Sequence, residues 1–188
     1  VKNNLQVITS LLSLQSREIE DPVALDAVKS SQNRVRSMAM IHQNLYKEDS
    51  LNSVNASGYL KNICDSVLKS YKVGEKDITL SVECDEVELD IDTTIPLGLI
   101  LNELITNALK YAFVEQESGI ISVSLKSHEN DLILKVKDNG IGIEEDHYKK
   151  GTSIGLKLIE AFAKKLKATW KVIKNNGTEI TFRFNQTT

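Results

Sequence analysis

The chain has 188 residues, 41% of them apolar and 26% charged, enough apolar side chain for one large core or two small ones and too much for a disordered polymer. Its net charge of −3 and pI near 5.7 argue against nucleic acid as the main partner. Its two cysteines, Cys64 and Cys84, make no C-x-x-C pair and read as idle thiols rather than a metal or disulfide site.

In chain order, the first pattern is helical. Val1, Leu5, Ile8 and Leu12 share one face, widened by Val7, Leu11 and Leu14. The pattern is already running at Val1, so the chain reads as a piece of a longer protein. No apolar run is long enough to cross a membrane, and any membrane attachment is expected only through an upstream region. Ser16 to Glu20 reads as a polar link. Asp21-Pro22 then opens a second helix, with Asp21 as its N-cap, running to about Tyr46. Val28, Val35 and His42 repeat every seven residues, with Met38 and Leu45 in the neighbouring row, a period that suits lengthwise helix packing. Two helices cannot bury such wide apolar faces alone, so a homodimer forming a four-helix bundle is expected.

Lys47 to Asn55 reads as a linker, dividing a helical domain over residues 1–48 from a mixed domain over 54–188. In the second domain a helix is expected from about Ala56 to Tyr71. Strands are expected at Ile78 to Glu83 and Val87 to Ile91, and an apolar helix from Pro96 to Phe113. Strands at Ile120 to Leu125 and Asp131 to Val136 flank a turn at Ser127 to Asn130. After a glycine-marked loop from Asp138 come a helix from Ser153 to Leu166 and a hairpin, Ala168 to Ile173 and Glu179 to Phe184, around Asn175-Asn176-Gly177.

Four segments carry chemistry. In Asn102-Glu103-Leu104-Ile105-Thr106-Asn107-Ala108-Leu109-Lys110-Tyr111, Glu103 and Asn107 stand four apart on one helical face, with Lys110 and Tyr111 on or beside it. An amide oxygen is a hard ligand for magnesium, and an ammonium offsets phosphate charge. Asp138-Asn139-Gly140-Ile141-Gly142 ends an apolar strand, where a carboxylate can accept a hydrogen bond from an exocyclic amine and glycines let backbone approach a flat ring. Gly151-Thr152-Ser153-Ile154-Gly155-Leu156 opens a helix, and free N–H groups at a helix start attract phosphate. Gly177-Thr178 precedes the last strand. Taken singly, each has a plainer reading: a solvated helix stripe, a turn, an N-capped helix, a hairpin.

Together, in this order, the four segments resemble the N, G1, G2 and G3 boxes of the GHKL ATPases, over about Leu51 to Phe184. The resemblance implies a Bergerat fold, an α/β sandwich with ATP between a helix layer and a movable lid, here about Ile143 to Ser153. On that pattern Asp138 binds the adenine amine and Asn107 ligates magnesium. Gly140 and Gly142 flank the base, and Thr178 supports the adenine contact. Thr152, Ser153, Gly155 and Leu156 lie near the phosphates, and Lys110 and Tyr111 border the nucleotide. Glu103 occupies the family's acidic position beside the attacking group. His147, Tyr148, Lys149 and Lys150 fall in the lid, where a lysine would reach the γ-phosphate.

The first helix narrows the resemblance. Val1-Lys2-Asn3-Asn4-Leu5-Gln6 is similar to the dimerisation helix of a sensor histidine kinase subfamily that reads H-R-V-K-N-N-L-Q, and Arg34 to Ala39 with Ile41 to Tyr46 matches its second helix. This implies an α+β chain, a helical dimerisation and phosphotransfer hairpin followed by an ATP-binding domain. It also implies a phosphate-accepting histidine just before Val1, so that the stretch from Val1 onward would not phosphorylate itself. The phosphate would pass to an aspartate in the receiver domain of a response regulator. His42 sits in the helix seam, His128 in a turn and His147 in the lid, and none is the expected acceptor. The alternatives are a GHKL ATPase or serine kinase using the same boxes, and a dimer scaffold that binds nucleotide without kinase activity.

Overall fold

The computed structural model describes residues 2–45, 53–71, 76–143 and 153–185. The expectations for Tyr46, for lid residues His147 to Lys150, and for Thr152 fall outside them. The chain divides into two units, Val1–Leu51 and Asn52–Thr188.

The first unit is a helical hairpin of α1 (Lys2–Glu18) and α2 (Pro22–Leu45). Asp21 caps α2 as its sequence implies: its side chain accepts from Val23 N–H at 3.2 Å, and its carbonyl accepts from Leu25 N–H at 2.9 Å. The link is shorter than its polarity implies, because α1 continues through Arg17 and Glu18. Val7, Ile8, Leu11 and Leu14 stay exposed along α1.

The second unit opens with β1 (Val54–Asn55), which pairs antiparallel with β3 (Glu88–Leu89). Asn55 then caps α3 (Ala56–Ser70), its side chain accepting from Gly58 N–H at 2.9 Å. The main sheet has five strands in the order β2-β4-β5-β7-β6: β2 (Asp77–Cys84), β4 (Ser118–His128), β5 (Asp131–Asp138), β7 (Thr178–Asn185) and β6 (Thr169–Lys174). Among the described strands only β2 and β4 run parallel, and their crossover holds helix α4 (Ile91–Asn107). Helix α5 (Ile154–Lys165) connects β5 to β6.

Period-two alternation decides the faces of this sheet. Ile121, Val123 and Leu125 of β4, Leu132, Leu134 and Val136 of β5, and Ile180, Phe182 and Phe184 of β7 are all buried. Full burial of each is worth about 1.5–3 kcal/mol. The intervening residues carry cross-strand ion pairs, such as Lys135 with Glu179 at 3.3 Å, on the opposite face. Trp170 and Phe182, paired across β6 and β7, stack with centroids 5.6 Å apart.

Helix α4 begins earlier than Pro96. Asp90 is its N-cap, accepting from Thr93 N–H at 2.6 Å, and Pro96 lies inside the helix. A proline there removes one hydrogen bond and strains the turn by about 3 kcal/mol. Complete burial of Leu97, Ile100, Leu101 and Ile105 offsets it, since α4 packs against both α3 and α5. The expected strand at Val87 to Ile91 shrinks to two residues because Asp90 and Ile91 belong to the cap and first turn of α4. The C-terminal end of α4 passes into a π-helical turn, Ala108–Ala112. Both cysteines are free, and burial pushes the Cys64 thiol up to about 12, which keeps it protonated and inert.

Candidate functional site

Strand β5 ends at Asp138, whose carboxylate is buried. Its Oδ1 accepts two backbone N–H groups, from Gly140 at 2.9 Å and Thr178 at 3.2 Å. Burial pushes this carboxyl above its usual range, and the bonds from Gly140 and Thr178 pull partly back. The loop after it is tied at three further points. Asn139 pairs with Ile120, Ile141 N–H donates to Ala112 O at 2.9 Å, and Ile143 N–H donates to Thr178 Oγ1 at 3.1 Å.

Glycines permit these approaches. A Cβ on Gly140 would stand 2.1 Å from Ala112 O, and one on Gly177 would stand 1.9 Å from Asp138 O. Gly177 also has φ +117°, a backbone state closed to ordinary side chains.

Beside Asp138 lies a cleft lined by Leu104, Asn107, Ala108 and Ala112 from the α4 segment, Val136, Asp138 and Ile143 from β5 and its loop, and Thr178 and Ile180 from β7. Apolar walls with a few convergent polar groups are what a flat heterocycle with one polar edge requires. Asp138, Asn107 and Thr178 from the sequence analysis therefore meet in one cleft. Gly140 and Gly142 shape its loop, and Gly142 has φ +75°.

The remaining expected residues are placed around it. Glu103 is buried in α4, one turn before Asn107, and is not among the lining residues. Lys110 lies with its ammonium 6.0 Å from the centre of the Tyr71 ring, and Tyr111 is exposed. A π-helical turn advances less per residue than an α-helix, so Ala108 and Ala112, not Lys110 and Tyr111, form the cleft floor. Ser153 is the N-cap of α5, accepting from Leu156 N–H at 3.3 Å, and Gly155 and Leu156 are buried in its first turn. These three are not cleft-lining residues. Sequence reasoning singled out Gly177 with Thr178 but missed Ala112 and Ile143 as lining residues.

The fold and the cleft define an ATP-binding domain of the α/β sandwich kind. Residues 92–188 match a family described as histidine kinase-, DNA gyrase B-, and HSP90-like ATPase, and residues 1–71 match one described as histidine kinase (HisKA_2). The first match covers over half of the chain, and the chain belongs to this ATPase family, with a histidine kinase segment of the HisKA_2 type ahead of it.

Blue-light-activated histidine kinase 2 of Erythrobacter litoralis (strain HTCC2594) is 28% identical over 152 residues, covering 78% of this chain and 42% of that protein. Sensor histidine kinase PdtaS of Mycobacterium tuberculosis (strain ATCC 25618 / H37Rv) is 28% identical over 164 residues, covering 85% of this chain and 32% of the relative. The chain thus spans well under half the length of these curated relatives. In architecture it is similar to the solved histidine kinase domain from the Erythrobacter litoralis EL346 blue-light activated histidine kinase, with a TM-score of 0.73, 22% identity and 96% of each chain covered. Among the described residues no helix is long and apolar enough to cross a membrane.

Proposed function

We propose that the chain is the part of a sensor histidine kinase that binds ATP with magnesium and passes the γ-phosphate to a histidine just before Val1, for relay to an aspartate in a response-regulator receiver domain. The observation that carries the reading is the buried Asp138 carboxylate on the wall of an apolar cleft, its Oδ1 held by Gly140 and Thr178. A carboxylate fixed this way presents its second oxygen to an exocyclic amine such as that of adenine, while Val136 and Ile180, paired side by side on β5 and β7, offer the ring an apolar surface.

The donor chemistry fits magnesium. Asn107 brings a neutral amide oxygen to the cleft, and magnesium is commonly held by few protein ligands plus phosphate oxygens and water. When bound, the ion would neutralise charge on the phosphate oxygens. The site assignments combine this cleft with the family pattern. Asn107 holds the ion, Asp138 and Thr178 hold the base, and Gly140 and Gly142 keep the loop close to it. On the family pattern Lys110 and Tyr111 border the phosphates, and Thr152, Ser153, Gly155 and Leu156 lie near them. Glu103 polarises the attacking imidazole. Transfer forms a bond from an imidazole nitrogen to the γ-phosphorus and breaks the bond from that phosphorus to the β,γ-bridging oxygen, so ADP leaves. Catalysis of this kind rests on positioning and charge neutralisation.

Two domains are proposed, a dimerisation and phosphotransfer hairpin over 1–48 and the ATP-binding domain over 54–188. The exposed Val7, Ile8, Leu11 and Leu14 of α1 support a homodimer through the hairpin. Incubation of a chain extended upstream through the expected histidine with labelled ATP and magnesium tests the reaction. Label that is acid-labile and alkali-stable is expected. Acid-stable phosphoserine in its place would point to a serine kinase, and a folded, ATP-binding protein that takes no label would point to a scaffold.

A further inference from the structure

We infer that Asn139 is a positioning residue for recognition of the base, setting the aim of the Asp138 carboxylate without touching the nucleotide. The inference rests on the proposed adenine site at Asp138.

Strands β4 and β5 pair in register up to Ile121 with Asp138. The next rung would join Ile120 to Asn139, and only half of it uses backbone. Asn139 N–H donates to Ile120 O at 3.2 Å, as in an ordinary antiparallel ladder. The return bond does not use the Asn139 carbonyl. Ile120 N–H donates instead to Asn139 Oδ1 at 2.7 Å. The side chain substitutes for the residue's own carbonyl in the ladder, so the backbone after Cα is released to turn while the strand edge stays satisfied. Asparagine suits this because a short side-chain amide readily replaces a backbone acceptor.

The released backbone turns at once into the cleft loop. Gly140 N–H swings back to Asp138 Oδ1 at 2.9 Å, and Ile141 N–H reaches Ala112 O at 2.9 Å. Gly140 has no room to relax, since its Cβ position lies 2.1 Å from Ala112 O. Asn139 itself is exposed and is not a cleft-lining residue. Its side chain therefore acts through the direction it gives the chain between Asp138 and Gly140. Without that acceptor, Ile120 N–H recruits the carbonyl of residue 139, the strand continues straight, and the Gly140 bond to Asp138 is lost. Asp138 then keeps only Thr178 as a guide and no longer aims at one edge of the base.

The test is calorimetric titration of this chain with non-hydrolysable analogues of ATP and GTP, with magnesium, for wild type, Asn139→Ala and Asn139→Asp. A hydrogen bond of this class is worth about fivefold to tenfold in affinity. Asn139→Ala is expected to lose that much for the ATP analogue while the GTP analogue is bound as before, so the preference for adenine narrows. Asn139→Asp keeps an acceptor at the same place and is expected to restore the preference. General loosening of the fold would weaken both analogues together, and that result overturns the inference, as does an Asn139→Ala preference equal to wild type. A folded wild type that binds neither analogue overturns the adenine site itself and the inference with it. If Asn139→Ala does not fold, the ratio in Asn139→Asp decides against an Asn139→Leu variant, which also lacks an acceptor: equal ratios in the two overturn the inference.

Discussion

Thr178 N–H donates to Asp138 Oδ1 at 3.2 Å, joining the first residue of β7 to the last of β5 on the cleft wall. The same threonine accepts from Ile143 N–H through its hydroxyl, so one residue holds both the carboxylate and the far end of its loop. On the proposed reading, recognition of the base and local stability share these bonds, and they can be separated by experiment.

Gly177 sets the distance between the two strands at this point. A methyl group there would meet Asp138 O at 1.9 Å in a backbone conformation that alanine avoids. Gly177→Ala is expected to cost about 2 kcal/mol or more, from strain and from displacement of Asp138. Urea denaturation measures the first effect. Loss of nucleotide affinity in protein that is still folded measures the second.

The pH dependence of stability follows from Asp138. Burial raises its folded carboxyl above the ordinary value of 3.8, so between these two values the folded state holds more proton than the unfolded chain. Stability from this group is then fully present below 3.8 and falls as pH rises through the folded value, the reverse of a salt-bridged carboxylate. Asp138→Asn keeps an oxygen to accept from Gly140 and Thr178 and removes the buried charge. Denaturant melts of both proteins from acid to neutral pH are expected to show the variant gaining on wild type through that window and then holding a constant lead. A wild type that gains on the variant as pH rises would contradict the assignment.

Packing of α3 on α4 depends on Gly98. Tyr59 donates its hydroxyl to Thr94 O at 2.8 Å, and a Cβ on Gly98 would lie 2.0 Å from that hydroxyl oxygen. Gly98→Ala is expected to lower stability by about 1–3 kcal/mol through displacement of the buried ring. Tyr59→Phe, measured beside it, is expected to cost about 1 kcal/mol for the lost bond. The two effects are expected to be less than additive, since both act on one hydroxyl.

Lys76 closes the C-terminal end of the π-helical turn, its ammonium donating to Phe113 O at 2.5 Å and reaching Val114 O at 3.5 Å. A cation at helix-terminal carbonyls offsets their partial negative charge. Lys76→Met preserves the stem and removes the charge, and a loss of about 1 kcal/mol is expected, read as a lower midpoint in thermal unfolding. High salt is expected to shrink the difference between the two proteins.

Much of the architecture is legible because it is local. Asp21-Pro22 announces α2, alternation marks β4, β5 and β7, and Ser153 stands at the start of α5. What is hidden depends on distant partners. Val54 and Asn55 become a strand only because Glu88 and Leu89 lie opposite, and two residues carry no period. Pro96 reads as a helix start because proline favours the first turn, yet burial around Leu97 and Ile100 carries α4 through it. In the cleft, Asp138 and its glycines are legible as a motif. The π-helical register that turns Ala108 and Ala112 toward the cleft is not, since Asn-Ala-Leu-Lys-Tyr reads as ordinary α-helix.

The central claim, a magnesium-dependent adenine nucleotide site built on Asp138, is tested most directly by calorimetric titration with a non-hydrolysable ATP analogue, with and without magnesium, for wild type and Asp138→Asn. Magnesium-dependent binding by wild type, absent from a folded Asp138→Asn protein, is the expected result. Equal binding by both proteins, or no binding by a wild type that melts cooperatively, would contradict it.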